Sequence, residues 1–595
     1  MPRLRRFLAI ALSTGLLAGF LELAGHWIRH ALLHEFLFLG PDVLWTAPLV
    51  NAVLFLGLGF ICWVAARFWS RITSATLVGT GLFLGTFGML YIFAQLHRVA
   101  ALALALGVGV QAGRWAAGLG EERLMAVTRR ALPMLAGAVL LLFAGVRGRQ
   151  ALAERAATRA LGPAGLRAPN VLLIVLDTVR AFNLELYGYG RATMPGLARF
   201  AAGGTTFDRA FSTAPWTLPS HASMFTGHWA HELRADWLEP LEPGPPTIAE
   251  ALGRAGYYSA GISGNLNYVS AEVGLARGFV TFEDYVLSPG LLLRNSSLVR
   301  VVSRNRTVKR FLGAEDALGR KGAAQINRSA SRFLDRRPAD RPFFLFLNYY
   351  DAHRPYLPPA PYDRMFVPEG TQPDPRPART AQPGDTARVE KTAWAVNAYD
   401  GGLAFLDREL GQLLADLERR GLLDSTIVII TSDHGEEFGE HGLFDHGNSL
   451  YRQAMQVPLV VRYPARLPAG GRVGTPVSLR DLPATILDLA GIRGGPAFPG
   501  RSLTRALGDT VPADSLLGGV RRAIRQPEFY PAAQGNLAVL TSEGLRYIRN
   551  LDTRDERLFD FERDPLEAHN LAPDSVGQAR LPVFRAMMDR VHFLP

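Results

Sequence analysis

Two apolar runs in this sequence end in residues that can bind a metal ion. Asp177 follows the run N-V-L-L-I-V-L, and Asp433 and His434 follow T-I-V-I-I-T-S. Thr217 begins the segment T-L-P-S-H-A-S-M-F-T-G, which is typical of a loop that leads into a helix, where free amide groups favour an anion. Two carboxylates, an imidazole and a hydroxyl would bind one divalent cation, which would lower the pKa of the hydroxyl and orient its oxygen for attack. We therefore predict a metal-dependent site with Thr217 as its nucleophile.

Short β-branched runs that alternate with amphipathic stretches must position these residues. The runs at 170–177, 343–348, 426–431 and 457–461 are typical of buried strands in a parallel sheet. Helical stretches between them are predicted at 193–202, 247–255 and 393–420. This alternation predicts an α/β fold with a mainly parallel central sheet flanked by helices, in which function gathers at the carboxyl ends of the strands.

The composition changes along the chain in a way that predicts its domains. Residues 1–150 are far more apolar than the rest and are predicted to form a helical membrane domain. An Ala/Arg-rich linker at 151–168 precedes the catalytic domain, which we place at 169–500, and a smaller α+β subdomain at 501–595 completes it.

Five apolar stretches of the membrane domain approach the ~20 residues that span a hydrocarbon core. They are 7–24, 43–66, 75–96, 99–119 and 131–146. The arginines of the predicted cytoplasmic loops are Arg3, Arg5, Arg6, Arg67, Arg71, Arg123, Arg129 and Arg130. Under the positive-inside rule they place the N-terminus in the cytoplasm, and five spans then place the catalytic domain outside the cell membrane. The arginines from Arg147 to Arg167 favour the opposite side, and with four spans the domain would be cytoplasmic.

The overall composition excludes several classes of protein. Hydrophobic residues make up 48% of the 595 residues, which excludes a disordered chain. The single cysteine, Cys62, excludes disulfide frameworks and cysteine-rich metal modules. The net charge is +11, but the arginines are dispersed and form no long basic block, so we predict no nucleic-acid partner.

Several ordered motifs resemble those of the sulfatase family in the alkaline phosphatase superfamily. They are the strand that ends in Asp177, the segment that begins at Thr217, the S-D-H-G motif at Asp433, and L-F-D-F-E-R-D-P-L-E-A-H-N-L-A at 558–572. The resemblance covers most of the chain after residue 170, and it implies the superfamily's α/β fold and a hydrolytic metal site.

The nucleophile position departs from that family. Sulfatases convert a Cys or Ser there to formylglycine, whereas this chain has Thr217, and its single cysteine lies in a predicted membrane span. Formylglycine is therefore not expected. A Thr nucleophile resembles that of the phosphodiesterases, phosphoethanolamine transferases and lipoteichoic acid synthases of the same superfamily, which implies transfer of a phosphoryl group.

The resemblance also implies a ligand set of Asp177, Thr217, Asp433 and His434. Sulfatases commonly pair two Asp residues at the first strand and bind calcium, but Thr178 replaces the second Asp and His434 offers a nitrogen. Manganese or zinc is therefore favoured over calcium, which is the remaining alternative.

Other residues are assigned to the substrate anion by the resemblance. His353 matches the family's His before Pro, although with Asp351 it could bind a second metal. His446 lies where many sulfatases have a substrate-binding Lys, so it is expected to bind phosphate or protonate the leaving group. His221 replaces an Arg of the family motif and is expected either to contact the substrate or to shape the loop and bond its backbone. Arg180 is expected either to clamp a phosphate or to form a structural ion pair. The acidic residues after His434, among them Glu436, would in isolation suggest a metal cluster, but a solvated loop is favoured.

Together these expectations predict a membrane-anchored, metal-dependent hydrolase or transferase. Its substrate would be an anionic phosphate ester of the cell envelope, either lipid-linked or part of a glycan, reached from the lipid bilayer. One alternative is a sulfuric ester hydrolase, and another is a non-catalytic membrane protein that binds glycans. Hydrolysis and transfer share the covalent intermediate, so the sequence leaves that choice open.

Overall fold

The computed structural model describes most of the chain in two compact units. The described residues are 2–33, 35, 37–93, 95–165, 168–237, 239–285, 292–293, 295–303, 320–369, 386–493, 495–507, 515–521 and 535–591. One unit consists of Met1–Arg155 with Tyr285–Gly319, and the other of Ala156–Asp284 with Arg320–Pro595. The catalytic domain predicted as the continuous segment 169–500 is therefore interrupted, because the described residues of Tyr285–Gly319 pack with the N-terminal helices.

The first unit consists mainly of four apolar helices. They are α1 (Pro2–Ala31), α2 (Val43–Ala65), α3 (Ser74–Tyr91) and α4 (Arg98–Arg159), and a short helix of the inserted segment, Ser297–Ser303, is α8 in chain order. All four N-terminal helices are long and apolar enough to cross a membrane. Five apolar stretches correspond to four helices in the described chain because α4 contains both the fourth and the fifth stretch.

The helix α4 is broken at Gly120, where φ is 71° and ψ is 164°. Just after the break, Glu121 accepts a hydrogen bond of 3.0 Å from Ser74 at the start of α3. Farther along, Arg147 forms an ion pair of 3.0 Å with Asp42, which precedes α2. Asp42 marks the end of the bundle where α2 begins, and Ser74 marks the opposite end, where α2 finishes and α3 begins. The second half of α4 therefore runs back along the bundle from the Ser74 end to the Asp42 end.

The second unit is an α/β fold around an eight-stranded sheet, as predicted. Its strand order is β12-β2-β11-β7-β1-β6-β4-β5. The strands are β1 (Asn170–Leu176), β2 (Thr205–Phe207), β4 (Tyr258–Ser263), β5 (Thr281–Glu283), β6 (Phe343–Tyr349), β7 (Thr426–Thr431), β11 (Leu459–Arg462) and β12 (Gly471–Val473). From β7 to β5 all neighbours are parallel, whereas β11 is antiparallel to β7 and to β2.

Helices cover both faces of this sheet. They are α5 (Pro195–Ala201), α6 (Thr217–Thr226), α7 (Ile248–Arg254), α9 (Ala323–Arg336), α10 (Thr386–Arg419), α11 (Arg452–Met455) and α12 (Leu482–Leu489). Leu345 and Leu347 of β6 lie in a core cluster with Ile326 of α9. Phe346, which points to the other face, contacts Phe225 of α6 with ring centroids 5.0 Å apart. Because side chains alternate along a strand, β6 is apolar on both faces and is buried from both sides.

Three smaller sheets complete the second unit. Their strands are β3 (Ala210–Phe211), β8 (Glu437–Phe438), β9 (Phe444–Asp445), β10 (Gln456–Val457), β13 (Val477–Ser478), β14 (Leu516–Val520), β15 (Leu537–Ser542), β16 (Leu545–Asn550) and β17 (Glu556–Asp560). The antiparallel order β14-β15-β16-β17 packs with α13 (Ser575–Asp589) and forms the predicted small α+β subdomain. A buried ion pair of 2.7 Å between Arg546 and Glu567 lies inside it, and Glu567 also accepts the backbone N–H of Arg452 in α11.

Candidate active site

Four neighbouring parallel strands end in polar residues that meet at one edge of the central sheet. Asp433 follows β7, Asp177 follows β1, Asn348 lies near the end of β6, and Asn265 follows β4. All four side chains are buried. The edge is therefore a row of hydrogen-bonding groups inside the protein, as the rule for parallel sheets predicts.

Asp177 lies at the centre of this row. Its Oδ2 accepts a hydrogen bond of 2.9 Å from the Asn265 amide and one of 3.5 Å from Asn348. Its Oδ1 is buried and has no hydrogen-bond partner among the described residues. Burial raises the pKa of Asp177 well above its ordinary value, and the neighbouring Asp433 carboxylate raises that pKa further.

Asp433, which follows the neighbouring strand β7, also has one carboxylate oxygen with hydrogen bonds and one without. Its Oδ1 accepts the backbone N–H groups of Thr178 at 3.2 Å and His434 at 2.9 Å. Its Oδ2 is buried and, within the described part of the chain, accepts no hydrogen bond. Burial also raises the pKa of Asp433. The Thr178 side chain donates to the Asp177 carbonyl, so it does not replace the second carboxylate of the sulfatase pattern.

Thr217 is the first residue of α6, so its hydroxyl lies at the N-terminus of that helix. Pro219 falls in the first turn, where its missing N–H leaves no intrahelical bond unmade. Gly227 ends the helix with φ of 71°, a left-handed conformation that favours glycine. The Thr217 Oγ1 lies 3.3 Å from His434 Nε2, which brings the hydroxyl to the carboxylates.

His434 is held as a neutral imidazole. Its Nδ1 is 2.9 Å from the Gly435 carbonyl, so this nitrogen carries the proton and Nε2 has a free lone pair. Burial lowers the pKa of His434 to about 3. A backbone carbonyl that fixes the tautomer in this way is the usual support for a metal-binding histidine.

The donor set of this cluster fits a divalent cation. One ligand atom from each of Asp177, Asp433 and His434 lies within 4.8 Å of the other two. Two buried carboxylate oxygens without partners, close to a histidine lone pair and a hydroxyl, would repel each other unless a positive charge lay between them. We therefore infer that these three residues and Thr217 can hold one metal ion.

His446 lies beside the cluster and is paired with Glu436. Its Nδ1 is 3.0 Å from Glu436 Oε1, and its ring centroid lies 4.5 Å from that of His434. Burial alone would lower the pKa of His446, but the Glu436 carboxylate overrides that effect and raises the pKa to about 9. This raised pKa favours the imidazolium form of His446 at neutral pH, beside the candidate metal ligands, and that form is suited to bind an anion or donate a proton.

Glu436 is the clearest difference from the sequence analysis, which placed it in a solvated loop. It is fully buried, and its Oε2 accepts a hydrogen bond of 2.9 Å from Tyr356. Glu436, Asp445 and His446 also form a group with metal-ligand spacing, but Asp445 is ion-paired with Arg354. Since these carboxylates already have protein partners, the group is better suited to orient His446 than to hold a second ion.

His353 joins the site, whereas Asp351 does not. The ring of His353 stacks on Tyr350 at 4.2 Å and meets His446 edge to face at 5.1 Å. Asp351 instead accepts the backbone N–H of Ala323 at the start of α9. The geometry therefore favours His353 as a substrate contact and gives no support to a second metal held by Asp351.

Two further residues from the sequence analysis have structural roles here. His221 Nδ1 lies 2.8 Å from the Thr217 carbonyl, so its ring fixes the first turn of α6. Arg180 donates to Glu440 at 2.7 Å, to the Glu436 carbonyl and to Asn183. Of the two roles considered for Arg180, this geometry favours the structural ion pair over the phosphate clamp.

Asn265 and Asn348 were missed in the sequence analysis. Asn348 lies within F-L-F-L-N-Y-Y, so its position near a strand end was a usable signal. Asn265 follows β4, whose sequence Y-S-A-G-I-S is too polar and too rich in small residues to be recognised as a strand.

Comparisons with known proteins agree with this fold. A family model described as Sulfatase matches residues 169–492, and one described as N-sulphoglucosamine sulphohydrolase, C-terminal, matches residues 439–591. The chain is 28% identical over 459 residues to choline-sulfatase of Rhizobium meliloti (strain 1021), covering 70% of this chain and 86% of that protein. It is 26% identical over 472 residues to an arylsulfatase of Clostridium perfringens (strain 13 / Type A), covering 71% and 93%.

Solved structures show the same fold. The crystal structure of phosphonate monoester hydrolase of Agrobacterium radiobacter aligns with a TM-score of 0.55 and 22% identity, covering 71% of this chain and 95% of that chain.

Removal of the metal ion should destabilise the protein, because it leaves two buried carboxylates facing each other. At a metal concentration of a hundred times Kd, binding contributes about 2.7 kcal/mol, so a chelator should lower the Tm of the full chain in detergent by a few degrees. Added Mn²⁺ or Zn²⁺ should restore it. Asp433→Asn, which removes one charge of the pair, is the control and should be insensitive to chelator. An unchanged Tm for the unsubstituted chain would contradict the predicted site.

Proposed function

Because the chain belongs to the sulfatase family, whose model matches more than half of it, we propose that it is a membrane-anchored hydrolase or transferase of phosphate esters with Thr217 as nucleophile. The observation that carries this proposal is the Thr217 hydroxyl at the N-terminus of α6, 3.3 Å from His434. Threonine cannot be converted to formylglycine, so the oxygen of its own side chain has to attack.

The residues of the site suit an in-line transfer in two steps. The Thr217 hydroxyl loses its proton to water and its oxygen attacks phosphorus, while the bond to the leaving group breaks and His446 donates a proton to the departing oxygen. Water or an acceptor hydroxyl then attacks the phosphothreonine and gives its proton to His446, and the bond from phosphorus to Thr217 breaks, so that Thr217 takes up a proton again from water. His353 and the first amide groups of α6 stabilise the charge on the phosphoryl oxygens. Glu436 positions His446 throughout.

A divalent cation held by Asp177, Asp433, His434 and Thr217 would supply the positive charge that lowers the pKa of the Thr217 hydroxyl and neutralises the phosphoryl group. Manganese or zinc suits the nitrogen of His434 better than calcium, which prefers ligands that are all oxygen.

A sulfuric ester hydrolase is the second candidate, supported by the names of the two curated relatives. The phosphonate monoester hydrolase with the same fold supports phosphorus chemistry instead. Thr217 favours phosphate, since formylglycine is what gives sulfatases their route to release sulfate. A protein that only bound glycans would not need the ligand set of Asp177, Asp433 and His434, so binding alone explains the site less well.

The membrane helices support a substrate of the cell envelope. We propose that the two halves of α4 each cross the bilayer, because the chain reverses near Gly120 and the Asp42–Arg147 pair joins α2 and α4 at one end of the bundle. Five crossings with the N-terminus in the cytoplasm place the catalytic unit outside. A lipid-linked or glycan phosphoester would then reach the site from the bilayer or the cell surface.

Thr217→Ala should abolish turnover of nitrophenyl phosphate or bis-nitrophenyl phosphate by the full chain, lowering kcat by roughly a thousandfold or more. Thr217→Ser keeps the hydroxyl and should retain turnover and a phosphoryl adduct on this residue, measured by mass spectrometry. Thr226→Ala is the matched control in the same helix, since the Thr226 hydroxyl donates to the Ala222 carbonyl and accepts the backbone N–H of His228. Undiminished activity of Thr217→Ala would refute the proposal, and cleavage of nitrophenyl sulfate alone would establish the second candidate.

His446→Ala should slow the reaction in proportion to how poor the leaving group is, because a poor leaving group needs a proton as it departs. We expect phenyl phosphate turnover to fall by about 10²–10⁴-fold and nitrophenyl phosphate turnover to fall much less. His441→Ala is the control, because His441 stacks on Tyr451 and its Nε2 bonds the Glu567 carbonyl. An equal loss for both substrates would instead assign His446 to phosphate binding.

The proposed topology can be checked with single cysteines in a Cys62→Ser background. Gly190→Cys lies at an exposed position of the catalytic unit and should react with a membrane-impermeant maleimide in intact cells. Ser70→Cys, between α2 and α3, should react only after the membrane is permeabilised. If neither cysteine is labelled until the membrane is permeabilised, the chain makes four crossings and the catalytic unit is cytoplasmic.

A further inference from the structure

Two aromatic side chains lie next to His446 at the candidate active site. Trp216 directly precedes Thr217, and the centroid of its ring lies 5.0 Å from that of His446 and 5.0 Å from that of Tyr268. Trp216 and Tyr268 are both partly exposed. We call these two side chains the aromatic wall. Partly exposed rings beside a reacting group offer an apolar surface to a ligand.

The core behind the wall holds Trp216 in place. The ring of Trp216 packs on that of Trp237 with centroids 3.6 Å apart. Trp237 is 1% exposed, and its Nε1 donates a hydrogen bond of 3.1 Å to the Arg521 carbonyl. Because its neighbour is fixed in this way, the Trp216 ring is a preformed surface, and a ligand that binds it has little side-chain motion to freeze.

Tyr268 is held by the same residue that holds a predicted metal ligand. The Nδ2 of Asn265 donates to Asp177 at 2.9 Å. The Oδ1 of Asn265 accepts the backbone N–H groups of Asn267 at 3.3 Å and Tyr268 at 3.1 Å. The side chain of Asn265 therefore fixes the backbone that carries Tyr268 relative to the cluster of Asp177.

The position of His446 indicates which part of the substrate meets the wall. Under the proposed function His446 gives its proton to the departing oxygen, so the organic group on that oxygen lies beside His446. The ring centroids of Trp216 and His353 lie 5.0 and 5.1 Å from that of His446. Since His353 is assigned to the phosphoryl oxygens, the leaving group is left to contact Trp216 and the neighbouring Tyr268.

The chemistry of the wall favours a ring that carries hydroxyl groups. The faces of Trp216 and Tyr268 are negative in partial charge and attract the polarised C–H groups of another ring. Trp216 Nε1 and Asn267 Oδ1 are buried and have no hydrogen-bond partner in the ranges that the structure describes. A hydroxyl both donates and accepts, so it can satisfy either atom. A sugar ring offers a flat C–H face and hydroxyl groups together, whereas a hydrocarbon chain offers no hydroxyl and glycerol offers no ring.

We propose that the aromatic wall binds the leaving group of the substrate and that this leaving group is a sugar ring. Its C–H face lies on Trp216 and Tyr268, and its hydroxyl groups bond Trp216 Nε1 and Asn267 Oδ1. The identification of this ring as the leaving group rests on the proposed function, whereas its binding to the wall requires no turnover.

Binding can be measured with phosphonates in which a CH₂ group replaces the ester oxygen, because these ligands cannot be hydrolysed at that bond. The glucose analogue is the phosphonate of glucose phosphate, and the glycerol analogue is that of glycerol phosphate. In isothermal titration of the full chain in detergent with Mn²⁺, the glucose analogue should bind roughly tenfold more tightly than the glycerol analogue. Both carry the same phosphonate group, so the ratio of their Kd values reports the organic group. Equal Kd values would overturn the proposal.

Trp216→Leu and Tyr268→Leu should each remove most of this ratio, because each removes one ring of the wall. Two variants are needed, since Trp216 adjoins Thr217 and its replacement can disturb the start of α6. Trp229→Leu is the matched control and should keep the ratio, because Trp229 is also partly exposed but its ring lies 4.1 Å from the Arg480 guanidinium. A ratio that Trp216→Leu and Tyr268→Leu both leave unchanged would overturn the role of the wall.

Benzylphosphonate distinguishes a sugar ring from an aryl ring. If it binds more tightly than the glucose analogue and Tyr268→Leu removes that advantage, the sugar is overturned and an aryl ester is the occupant. The proposed function has its separate test in turnover that depends on Thr217. A preference for the glucose analogue in a chain without such turnover would refute the proposed function and support the wall as a sugar site. Turnover that depends on Thr217, without that preference, would overturn the wall alone.

Discussion

Two carboxylates buried side by side are the constraint on which the catalytic unit depends. The parallel register pairs Val175 with Thr431, so two residues later Asp177 lies beside Asp433. Hydrogen bonds from backbone amides and asparagines reduce their repulsion, and a cation bound between them would reduce it further. Thr178 adopts a positive φ of 62°, and its N–H donates to Asp433. Such strain costs of order 1–3 kcal/mol and is tolerated at functional sites.

The central strands could be predicted from sequence because they are buried on both faces and are therefore continuously apolar. β4 could not, since its Y-S-A-G-I-S contains only one large aliphatic residue. The predicted strand at 457–461 is divided by Pro458 between β10 and β11, which belong to different sheets. Proline removes a backbone donor, so the chain changes partners there. The packing of residues 295–303 against the N-terminal helices left no signal, because it depends on contacts between residues about 275 positions apart.

The residues predicted as metal ligands lie close together because strand ends and the start of a helix meet at one edge of the sheet. The supporting residues were less so. Glu436 looked like part of a solvated acidic run, and only the fold reveals that it is buried against Tyr356 and His446. Arg180 follows β1 closely enough to suggest a phosphate contact, but its acidic partner Glu440 lies 260 residues away. Residue type therefore predicts which groups could do chemistry, whereas their orientation depends on distant partners.

The contact between Glu22 and Ser297 also constrains the order of events during synthesis. Ser297 is made 275 residues after Glu22, which takes roughly 14–55 s at about 5–20 residues per second. Before that, the partners of Glu22 among the described residues are His26 and Asn51. The helices of the first unit therefore gain the donors Ser297 and Arg300 only when half of the chain has been translated, after strands β1 to β5 of the second unit have been made.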